Sequence, residues 1–430
     1  MMRFFLTLFY DLSLFALMLI FFPKMLWQTV FQRKYRKSFL SRFRGKGPTP
    51  QSNQPVIWLH GVSVGESKAL STLTPHIRKT HPNAFILVST VTETGQQEAA
   101  RSIPSVDAFC YLPLDFSWII RRFVKRLRPD LLILVEGDFW YNLLKEVKKG
   151  GGAVVLVNGK VSETSFKRYL LLKSFSQELF QNIDYFCVQG EKYLERFLNL
   201  GIDPDKITVI DNLKYDIPQP GGSIEDEKVW KEKFGILEND TVITLGSTHE
   251  GEEEGFLTIF RPLLSKYENL KLLLVPRHPE RFQKVEKSIF NGGFSYIKYS
   301  RLAKRKGDEK IILVDEMGVL PNCYKISHLS IVGGSFINGI GGHDVFEPAK
   351  MGTPVLFGPY MHKQVDLART LMQSGAGKQV SLEKLTPLLE KYLSSPSLFQ
   401  EDGEKGKRLA QKVMGSAFRT WKQIEKYANK

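Results

Sequence analysis

The sequence predicts an α/β protein with two Rossmann-like domains that face a cleft, preceded by an N-terminal membrane-anchor helix. Short apolar runs alternate with amphipathic helical stretches, and a Pro/Gly-rich break divides this alternation near the middle of the chain. A long apolar segment near the N-terminus indicates the anchor. At 430 residues the chain is too long for one ordinary domain. With 43% apolar and 24% charged residues, it fits neither a disordered chain nor a polytopic membrane protein.

The strands are predicted from continuous apolar runs, which are typical of parallel strands buried on both faces. Before the break these runs are Val56–Leu59, Phe85–Val88, Leu131–Val135, Val154–Val157, Tyr185–Val188 and Thr208–Ile210. After it they are Val242–Leu245, Leu272–Val275, Ile311–Val314, Leu329–Val332 and Val355–Phe357. The predicted boundaries are an apolar segment at 1–22, a basic neck at 23–50, domains at 51–216 and 224–397 joined by a linker at 217–223, and a helical segment at 398–430.

The apolar segment Phe4–Phe22 is long enough to interact with a membrane. A helix of its nineteen residues extends roughly 28 Å, close to the thickness of a bilayer's hydrocarbon core. Asp11 argues against a complete span, because a mid-bilayer carboxylate costs about 2.5–3.5 kcal/mol. A half-inserted amphipathic helix is the alternative. A cleaved signal peptide is a third, although no small-residue cleavage site precedes Pro23.

The net charge of +15 is concentrated beside this segment. Eight Lys and Arg residues and no acid lie between Pro23 and Pro50, which leaves +7 for the rest of the chain. The positive-inside bias predicts that the domains lie on the cytoplasmic side, and the basic neck suits anionic lipid. Aromatic-basic RNA-binding motifs are absent from the sequence, so we expect no nucleic-acid partner. The three cysteines are far apart, which excludes a disulfide scaffold and a Cys-based zinc site. If the domains begin at Pro55, a chain that starts near Lys46 is expected to fold.

Glu66 follows the first predicted strand, in the segment His60–Ser67. Gly61 and Gly65 suit a tight turn, so Glu66 falls at the start of the helix predicted for Ser67–Lys79. The simplest interpretation is that its carboxylate complements the helix dipole, which is worth ~0.3–1 kcal/mol. Sites of doubly wound sheets also lie at the carboxyl ends of strands, which makes Glu66 a functional candidate.

Three further clusters follow strands in the second half of the chain. Gly246, Ser247 and Thr248 could form an anion or nucleotide cradle through backbone N–H groups, although the acids that follow fit a capping box and repel phosphate. Arg277 and His278 lie between two prolines, and Arg suits phosphate or carboxylate, with a surface salt bridge as the alternative.

The last cluster contains two glycine-rich segments, 333–336 and 341–348. Glycine allows close backbone approach to a ligand, and a carboxylate can accept hydrogen bonds from sugar hydroxyls. Ordinary turns are the alternative. Two such segments before a helix with Glu347 in its first turn make a ligand site the stronger interpretation.

Taken together, these motifs resemble the 3-deoxy-D-manno-octulosonic acid (Kdo) transferase family of lipopolysaccharide synthesis. The motifs are HGVSVGE, EGDFWYN, the VNGK strand end, NLKYD, GSTHEGEEE, PRHPERF, DEMG and GGHDVFEP, and their order and spacing match over nearly the whole chain. The resemblance implies the two-domain GT-B fold, with an acceptor-binding N-terminal domain and a nucleotide-sugar-binding C-terminal domain. It also implies CMP-Kdo as donor, a lipid A precursor such as lipid IVA as acceptor, and the cytoplasmic face of the bacterial inner membrane.

The resemblance assigns roles to individual residues. The general base corresponds to Glu66, and the transition-state stabilisers correspond to Glu136 and Lys214. The CMP contacts correspond to Arg277, His278, Met317, Gly318, Val319, Asp344, Val345, Phe346 and Glu347, with Gly246, Ser247 and Thr248 as a possible donor loop. The family's ETELWPN and GGHNPLEP read EGDFWYN and GGHDVFEP here, which leaves acceptor details and the side-chain contact of position 344 open.

The implied reaction is direct displacement with inversion, in which Glu66 removes the acceptor proton as the hydroxyl attacks the anomeric carbon. Arg277 and a helix N-terminus offset the charge of the departing CMP. CMP-Kdo is then a substrate, and we expect no cofactor and no metal. The alternatives are another membrane-associated GT-B enzyme that uses a UDP-sugar and a non-catalytic, membrane-tethered binding protein. The number of Kdo units added stays open.

Overall fold

The structure is a computed structural model that describes residues 2–30, 41–45, 47–51, 53–217 and 227–428. The chain divides into two compact units, one of Met1–Pro218 with Val413–Lys430 and the other of Gln219–Lys412. Much of the predicted neck and nearly all of the predicted linker lie outside the described residues.

Unit 1 contains a seven-stranded sheet in which every pair of neighbours is parallel. Its strands are β1 (Val56–His60), β2 (Phe85–Thr90), β3 (Ala108–Tyr111), β4 (Leu131–Val135), β5 (Ala153–Gly159), β6 (Tyr185–Val188) and β7 (Ile207–Val209). The order across the sheet is β3-β2-β1-β4-β5-β6-β7, so the chain reverses its winding direction between β1 and β4.

Helices of unit 1 cover both faces of this sheet. They are Met2–Val30, Val64–Thr80, Glu93–Ser102, Ser117–Leu127, Tyr141–Lys149, Glu163–Leu171, Lys173–Phe180, Glu191–Asn199 and Ser416–Ile424, with short 3₁₀ turns at Pro204–Lys206, Leu213–Asp216 and Glu425–Tyr427. Successive strand residues point to opposite faces, so Trp58 lies in one apolar cluster whereas Ile57 and Leu59 lie in the other. Because both faces are buried, the strands read as unbroken apolar runs.

Unit 2 repeats the architecture with a second parallel sheet in the order β10-β11-β9-β8-β12-β13-β14. Its strands are β8 (Thr241–Thr248), β9 (Leu270–Pro276), β10 (Tyr296–Lys298), β11 (Ile311–Leu313), β12 (Leu329–Val332), β13 (Val355–Phe357) and β14 (Gly377–Gln379). Its helices are Glu227–Phe234, Glu252–Lys266, Phe282–Asn291, Leu320–Lys325, Phe346–Met351, Val365–Ser374, Leu382–Ser394 and Ser397–Val413, with 3₁₀ turns at Pro279–Arg281 and Tyr299–Lys304.

All eleven predicted strands are present, and β3, β10 and β14 are additional. These three lie at sheet edges, where a strand pairs on one side only. Each is three or four residues long and contains partly exposed positions, so the sequence lacks the continuous apolar run that identifies a central strand.

The N-terminal helix Met2–Val30 packs on the rest of unit 1 through Leu6 and the ring of Tyr10, and through hydrogen bonds of Tyr10 and Asp11. The hydroxyl of Tyr10 donates to Asp115 Oδ2 at 2.9 Å, and Asp11 Oδ1 accepts from the Ser117 N–H at 3.1 Å and from Asn142 Nδ2 at 2.8 Å. Asp11 thus stabilises the N-terminus of the helix Ser117–Leu127. Within the part of the chain that the structure describes, no helix has both the length and the apolar content needed to cross a membrane.

Candidate active site

The reversal of winding between β1 and β4 places a crevice at the carboxyl ends of these strands. The chain leaves β1 towards β2 and leaves β4 towards β5, so the two connections diverge there. Ligands of open α/β sheets bind at such switch points. Glu66 follows β1 and Glu136 follows β4 directly, so both predicted residues lie at this position.

Glu66 lies in the first turn of the helix Val64–Thr80 and is 8% exposed. Its Oε2 accepts from the Val62 N–H at 2.5 Å, and its Oε1 accepts from Ser63 Oγ at 2.9 Å, while Ser63 caps the helix. Burial raises the pKa of the Glu66 carboxyl above its ordinary value, although the Val62 N–H opposes this effect, and the charge of Glu136 raises it further. A carboxyl group with a raised pKa is better suited to accept a proton near neutral pH.

Glu136 is held between two ammonium groups. Lys160 Nζ lies 2.5 Å from its Oε2, and Lys214 Nζ lies 2.9 Å from its Oε1. Burial alone raises the pKa of Glu136, but Lys214 and Lys160 outweigh it and hold this pKa below its ordinary value. The two ammonium groups thus favour the ionised form of Glu136, and the structure brings this residue together with Lys214, the other residue to which the resemblance assigns transition-state stabilisation.

The backbone near this ion pair adopts conformations that are rare for residues other than glycine. Glu136 has φ +67° and Asn158 has φ +54°. Asn158 links the elements of the site, since its Nδ2 donates to Glu136 Oε1 at 3.4 Å and its Oδ1 accepts from the Leu213 N–H at 3.0 Å. Strained backbone of this kind costs ~1–3 kcal/mol per residue and clusters at functional sites.

Asp138 and Lys160 lie beside Glu66 and Glu136, although neither was predicted from the sequence to have a role. Burial raises the pKa of Asp138 to about 6, and the charges of Glu66 and Glu136 add to this effect. Gly137 has no room for a side chain, because a Cβ atom would lie 2.8 Å from the carbonyl oxygen of Lys160. The signal that could have found both residues is their position, since Asp138 lies three residues after the end of β4 and Lys160 directly follows β5.

In unit 2 the winding reverses between β8 and β12, and a buried carboxylate organises that position. Glu252 is fully buried, and its two oxygens accept from the N–H groups of His249 at 2.9 Å, Gly334 at 2.8 Å and Phe336 at 3.0 Å. The glycine-rich segment 333–336 therefore uses these N–H groups to bind Glu252. The sequence had predicted that the backbone of 333–336 approaches a ligand, whereas the N–H groups of Gly334 and Phe336 bind the Glu252 side chain.

The predicted donor loop forms the last residues of β8. A Cβ atom on Gly246 would lie 2.1 Å from Tyr324 Oη, which explains the glycine by packing. Ser247 has φ +56° at an irregularity in the pairing with β9. Thr248 is buried, and its hydroxyl donates to Glu253 Oε1 at 3.1 Å. The geometry of these three residues is thus accounted for by the fold of unit 2.

A cluster of histidine and cationic side chains lies beyond the ends of β8 and β12. His249 Nε2 and His343 Nε2 are 2.7 Å apart, and their rings stack with centroids 5.0 Å apart. The ring of His278 contacts His249 edge-on at 5.2 Å. Burial lowers the pKa of His249 to about 4 and that of His343 to about 3, and the positive charge of Arg277 contributes to both shifts. Arg277 thus supplies positive charge to this cationic cluster, which is suited to an anion and to which His278 also belongs. His249 and His343, which were not predicted to belong to it, are neutral near pH 7 because of their lowered pKa values.

The predicted nucleotide contacts at 344–347 lie at the start of the helix Phe346–Met351. Asp344 Oδ1 accepts from the N–H groups of Phe346 at 2.8 Å and Glu347 at 3.3 Å, so Asp344 caps this helix. Val345 and Phe346 are buried in unit 2, and the Phe346 N–H is already bonded to Asp344, so the structure leaves neither residue accessible to a ligand. Burial raises the pKa of Glu347 to about 8, with Asp344 adding to the effect.

The predicted contacts at 317–319 form a turn before the helix Leu320–Lys325. Met317 is exposed, Gly318 has φ +88°, and Val319 is buried in the core of unit 2. Of the three, the structure leaves Met317 and the Gly318 backbone accessible. Within the described ranges, no group of three or more His, Cys, Asp or Glu side chains is arranged to hold a metal ion.

Comparison with known proteins identifies relatives along nearly the whole chain. A family model described as 3-deoxy-D-manno-octulosonic-acid transferase matches residues 36–217. A 3-deoxy-D-manno-octulosonic acid transferase from Chlamydophila psittaci is 34% identical over 98% of this chain and 96% of its own length. The enzyme of the same name from Haemophilus influenzae is 30% identical over 92% of both chains.

The solved structure of MurG from Acinetobacter baumannii is similar in fold. It matches 87% of this chain and 99% of its own length, with a TM-score of 0.54 and 12% identity. At this identity the likeness concerns the fold alone, and it confirms the predicted GT-B class.

Proposed function

Because this chain belongs to the 3-deoxy-D-manno-octulosonic acid transferase family, and is therefore a glycosyltransferase of lipopolysaccharide synthesis, we propose that it moves Kdo from CMP-Kdo to lipid IVA. The observation that carries this proposal is the site at the switch point of unit 1. A buried carboxylate, Glu66, lies there beside an ionised carboxylate, Glu136, that is paired with two lysines. This arrangement separates a proton acceptor from a group whose charge is fixed.

In the proposed reaction, an acceptor hydroxyl attacks the anomeric carbon of Kdo as Glu66 removes its proton. The bond from the anomeric carbon to the CMP oxygen breaks in the same displacement, so the configuration inverts. General-base assistance typically contributes 10²–10⁴-fold. Lys214 and Glu136 then stabilise charge in the transition state, and Lys160 keeps Glu136 ionised.

The donor nucleotide is proposed to bind unit 2 at the cationic cluster. Arg277 supplies positive charge and hydrogen-bond donors for the CMP phosphate, and this charge offsets the negative charge on the departing group. His278 supplies a ring N–H as a further donor. Glu347 is available to accept from the ribose hydroxyls, and Met317 with the Gly318 backbone completes the predicted contacts. In this mechanism CMP-Kdo is a substrate, and no cofactor or metal takes part.

We further propose that the helix Met2–Val30 attaches unit 1 to the cytoplasmic face of the inner membrane. Its polar residues Tyr10 and Asp11 bond to unit 1, whereas its exposed side chains include Phe5, Phe9 and Ile20. A helix that is bound to the protein on one side and exposes apolar side chains on the other suits a lipid environment. The basic neck at 23–50 adds attraction to anionic lipid.

The test uses purified full-length protein, CMP-Kdo and lipid IVA, with mass spectrometry of the lipid product. We expect mass increases of whole Kdo units, whose number also shows how many are added. A parallel donor screen with UDP-sugars tests the alternative GT-B activity. Transfer from a UDP-sugar without transfer from CMP-Kdo would refute the proposal, as would the absence of any modified lipid.

A further inference from the structure

A C-terminal helix packs against the helix that carries Glu66. The helix Ser416–Ile424 belongs to unit 1, although all of unit 2 precedes it in the chain. Its apolar side chains join the same core cluster as the buried face of the Glu66 helix. The indole N–H of Trp421 donates to Thr80 Oγ1 at 2.9 Å, at the last residue of the Glu66 helix. The far end of that helix is thereby fixed.

The same C-terminal helix is attached to the turn that carries Lys214, through the carboxylate of Asp216. Asp216 Oδ1 accepts from the Gly415 N–H at 2.7 Å, while Oδ2 accepts from the Ala417 N–H at 2.7 Å and the Ser416 hydroxyl at 2.8 Å. The first N–H groups of a helix have no partner within the helix, and negative charge is favourable there. Asp216 therefore caps a helix that begins 200 residues later in the sequence.

The turn is also held from its other side. Asp216 is the last residue of the 3₁₀ turn Leu213–Asp216. At the start of the turn, Asn158 Oδ1 accepts from the Leu213 N–H at 3.0 Å, and Asn212 Oδ1 accepts from the Lys214 N–H at 3.0 Å. With both ends fixed, the backbone directs Lys214 towards Glu136, where the ion pair is 2.9 Å long.

Resting on the function proposed above, we propose that Asp216 is a positioning residue for Kdo transfer. By capping the helix Ser416–Ile424, it fixes the turn that directs Lys214 at Glu136. The C-terminal helix is then part of the catalytic apparatus of unit 1, although it contributes no side chain to the reacting atoms. Misplacement of a catalytic group by about 1 Å can cost ~10²-fold in rate.

The test is Asp216→Asn in the full-length protein. The amide keeps the shape of the side chain but removes its negative charge and one of its two acceptor oxygens. We expect kcat to fall about 10- to 100-fold, with KM for both substrates and the affinity for CMP unchanged. Hydrogen exchange measured by mass spectrometry should be faster at the amides of the turn Leu213–Asp216.

Two matched variants separate positioning from general destabilisation. Asp211→Asn removes an exposed ion pair with Arg419, 3.2 Å long, from the same C-terminal helix without altering the Lys214 turn. Asp184→Asn removes the charge of a carboxylate that accepts from the Val154 N–H at 2.8 Å. This contact lies at the amino end of β5, whereas Glu136 and Lys160 lie at the carboxyl ends of the strands. We expect both variants to retain wild-type kcat.

Wild-type kcat in Asp216→Asn, or a loss no greater than that of Asp184→Asn, would overturn the proposal. If Asp216→Asn does not fold, Ser416→Ala removes a single hydroxyl donor from the same carboxylate, and an unchanged kcat in that variant also overturns it. Failure of the wild-type protein to transfer Kdo refutes the proposed function instead. The exchange measurement still decides the positioning role in that case, since unaltered exchange at the turn contradicts it.

Discussion

Replacement of Glu66 by Gln removes the proposed base while leaving its surroundings almost intact. The glutamine oxygen can keep accepting from the Val62 N–H, and its amide can donate to the Ser63 hydroxyl, because a hydroxyl both donates and accepts. The helix cap supplied by Ser63 does not depend on the charge of residue 66. We therefore expect Glu66→Gln to fold normally and to differ from the wild type mainly in its inability to accept a proton.

The expected loss of turnover is 10²–10⁴-fold, which corresponds to about 3–5 kcal/mol of transition-state stabilisation. CMP affinity should be nearly unchanged, since the proposed nucleotide contacts lie in unit 2. The pH profile adds a second readout. Burial raises the pKa of Glu66 above its ordinary value, so wild-type activity should fall on the acidic side at a higher pH than for an ordinary carboxyl group. This acidic limb should be absent from the residual activity of the variant.

The assay measures transfer from CMP-Kdo to lipid IVA under saturating conditions, with calorimetry of CMP binding alongside. Glu146→Gln is a suitable control, because Glu146 is also buried in unit 1 but pairs with Arg121 at 3.4 Å, away from Glu66. The control should retain wild-type turnover. If Glu66→Gln keeps more than about a tenth of wild-type turnover, Glu66 is not the general base, because a base contributes ~10²-fold or more.

Three further predictions concern the nucleotide site and the N-terminal helix. Arg277→Ala should weaken CMP binding by roughly one to two decades in calorimetry, because a charge-assisted hydrogen bond contributes ~1.5–3 kcal/mol. The control Arg261→Ala loses a bond to a backbone carbonyl elsewhere in unit 2 and should leave CMP affinity unchanged. Burial raises the pKa of Asp115 from 3.8 to about 7, so its contribution to stability is present below about pH 4 and lost as pH rises through 7. In denaturant unfolding, Asp115→Asn should show a flatter decline in stability between about pH 4 and 7 than the wild type. Deletion of residues 2–30 should lower the unfolding midpoint and reduce activity on acceptor in vesicles more than on acceptor in micelles, and equal vesicle activity would show that the helix does not bring enzyme and acceptor together. Tyr10→Phe, which loses the hydroxyl that bonds to Asp115 but keeps the ring, should shift the midpoint in the same direction by less.

The central strands and the order of the elements could be predicted from the sequence because burial on both faces leaves a continuous apolar run. The edge strands β3, β10 and β14 leave no such run, and only their pairing partners identify them. The packing of the N-terminal helix on unit 1 was also not predictable, since Asp11 bonds to Ser117 and Asn142, which lie more than 100 residues later. From the sequence, Asp11 was expected to oppose membrane insertion because of its charge. In the structure its carboxylate accepts two hydrogen bonds from unit 1.

At the site, position after a strand identified Glu66, while the resemblance supplied Glu136 and Lys214. The resemblance did not predict that Lys160, as well as Lys214, pairs with the carboxylate of Glu136. That contact depends on the register of β4 against β5. The segment 333–336 was expected to approach a ligand, but Glu252 occupies its N–H groups. Glu252 precedes this segment by more than 80 residues, so a motif defined by neighbouring residues could not predict the contact.

The return of the chain to unit 1 after unit 2 sets an order of events during synthesis. About 190 residues of unit 2 lie between Pro218 and Val413, and at ~5–20 residues per second they take roughly 10–40 s to translate. Throughout this interval the Lys214 turn lacks the helix that Asp216 caps, and the apolar surface that later receives Trp421 is uncovered. Unit 1 therefore completes its fold only after unit 2 has been synthesised, although the strands of unit 1 are made first. Until its C-terminal helix is made, nascent unit 1 is incomplete at the Lys214 turn, and exposed apolar surface of this kind makes folding intermediates prone to aggregate.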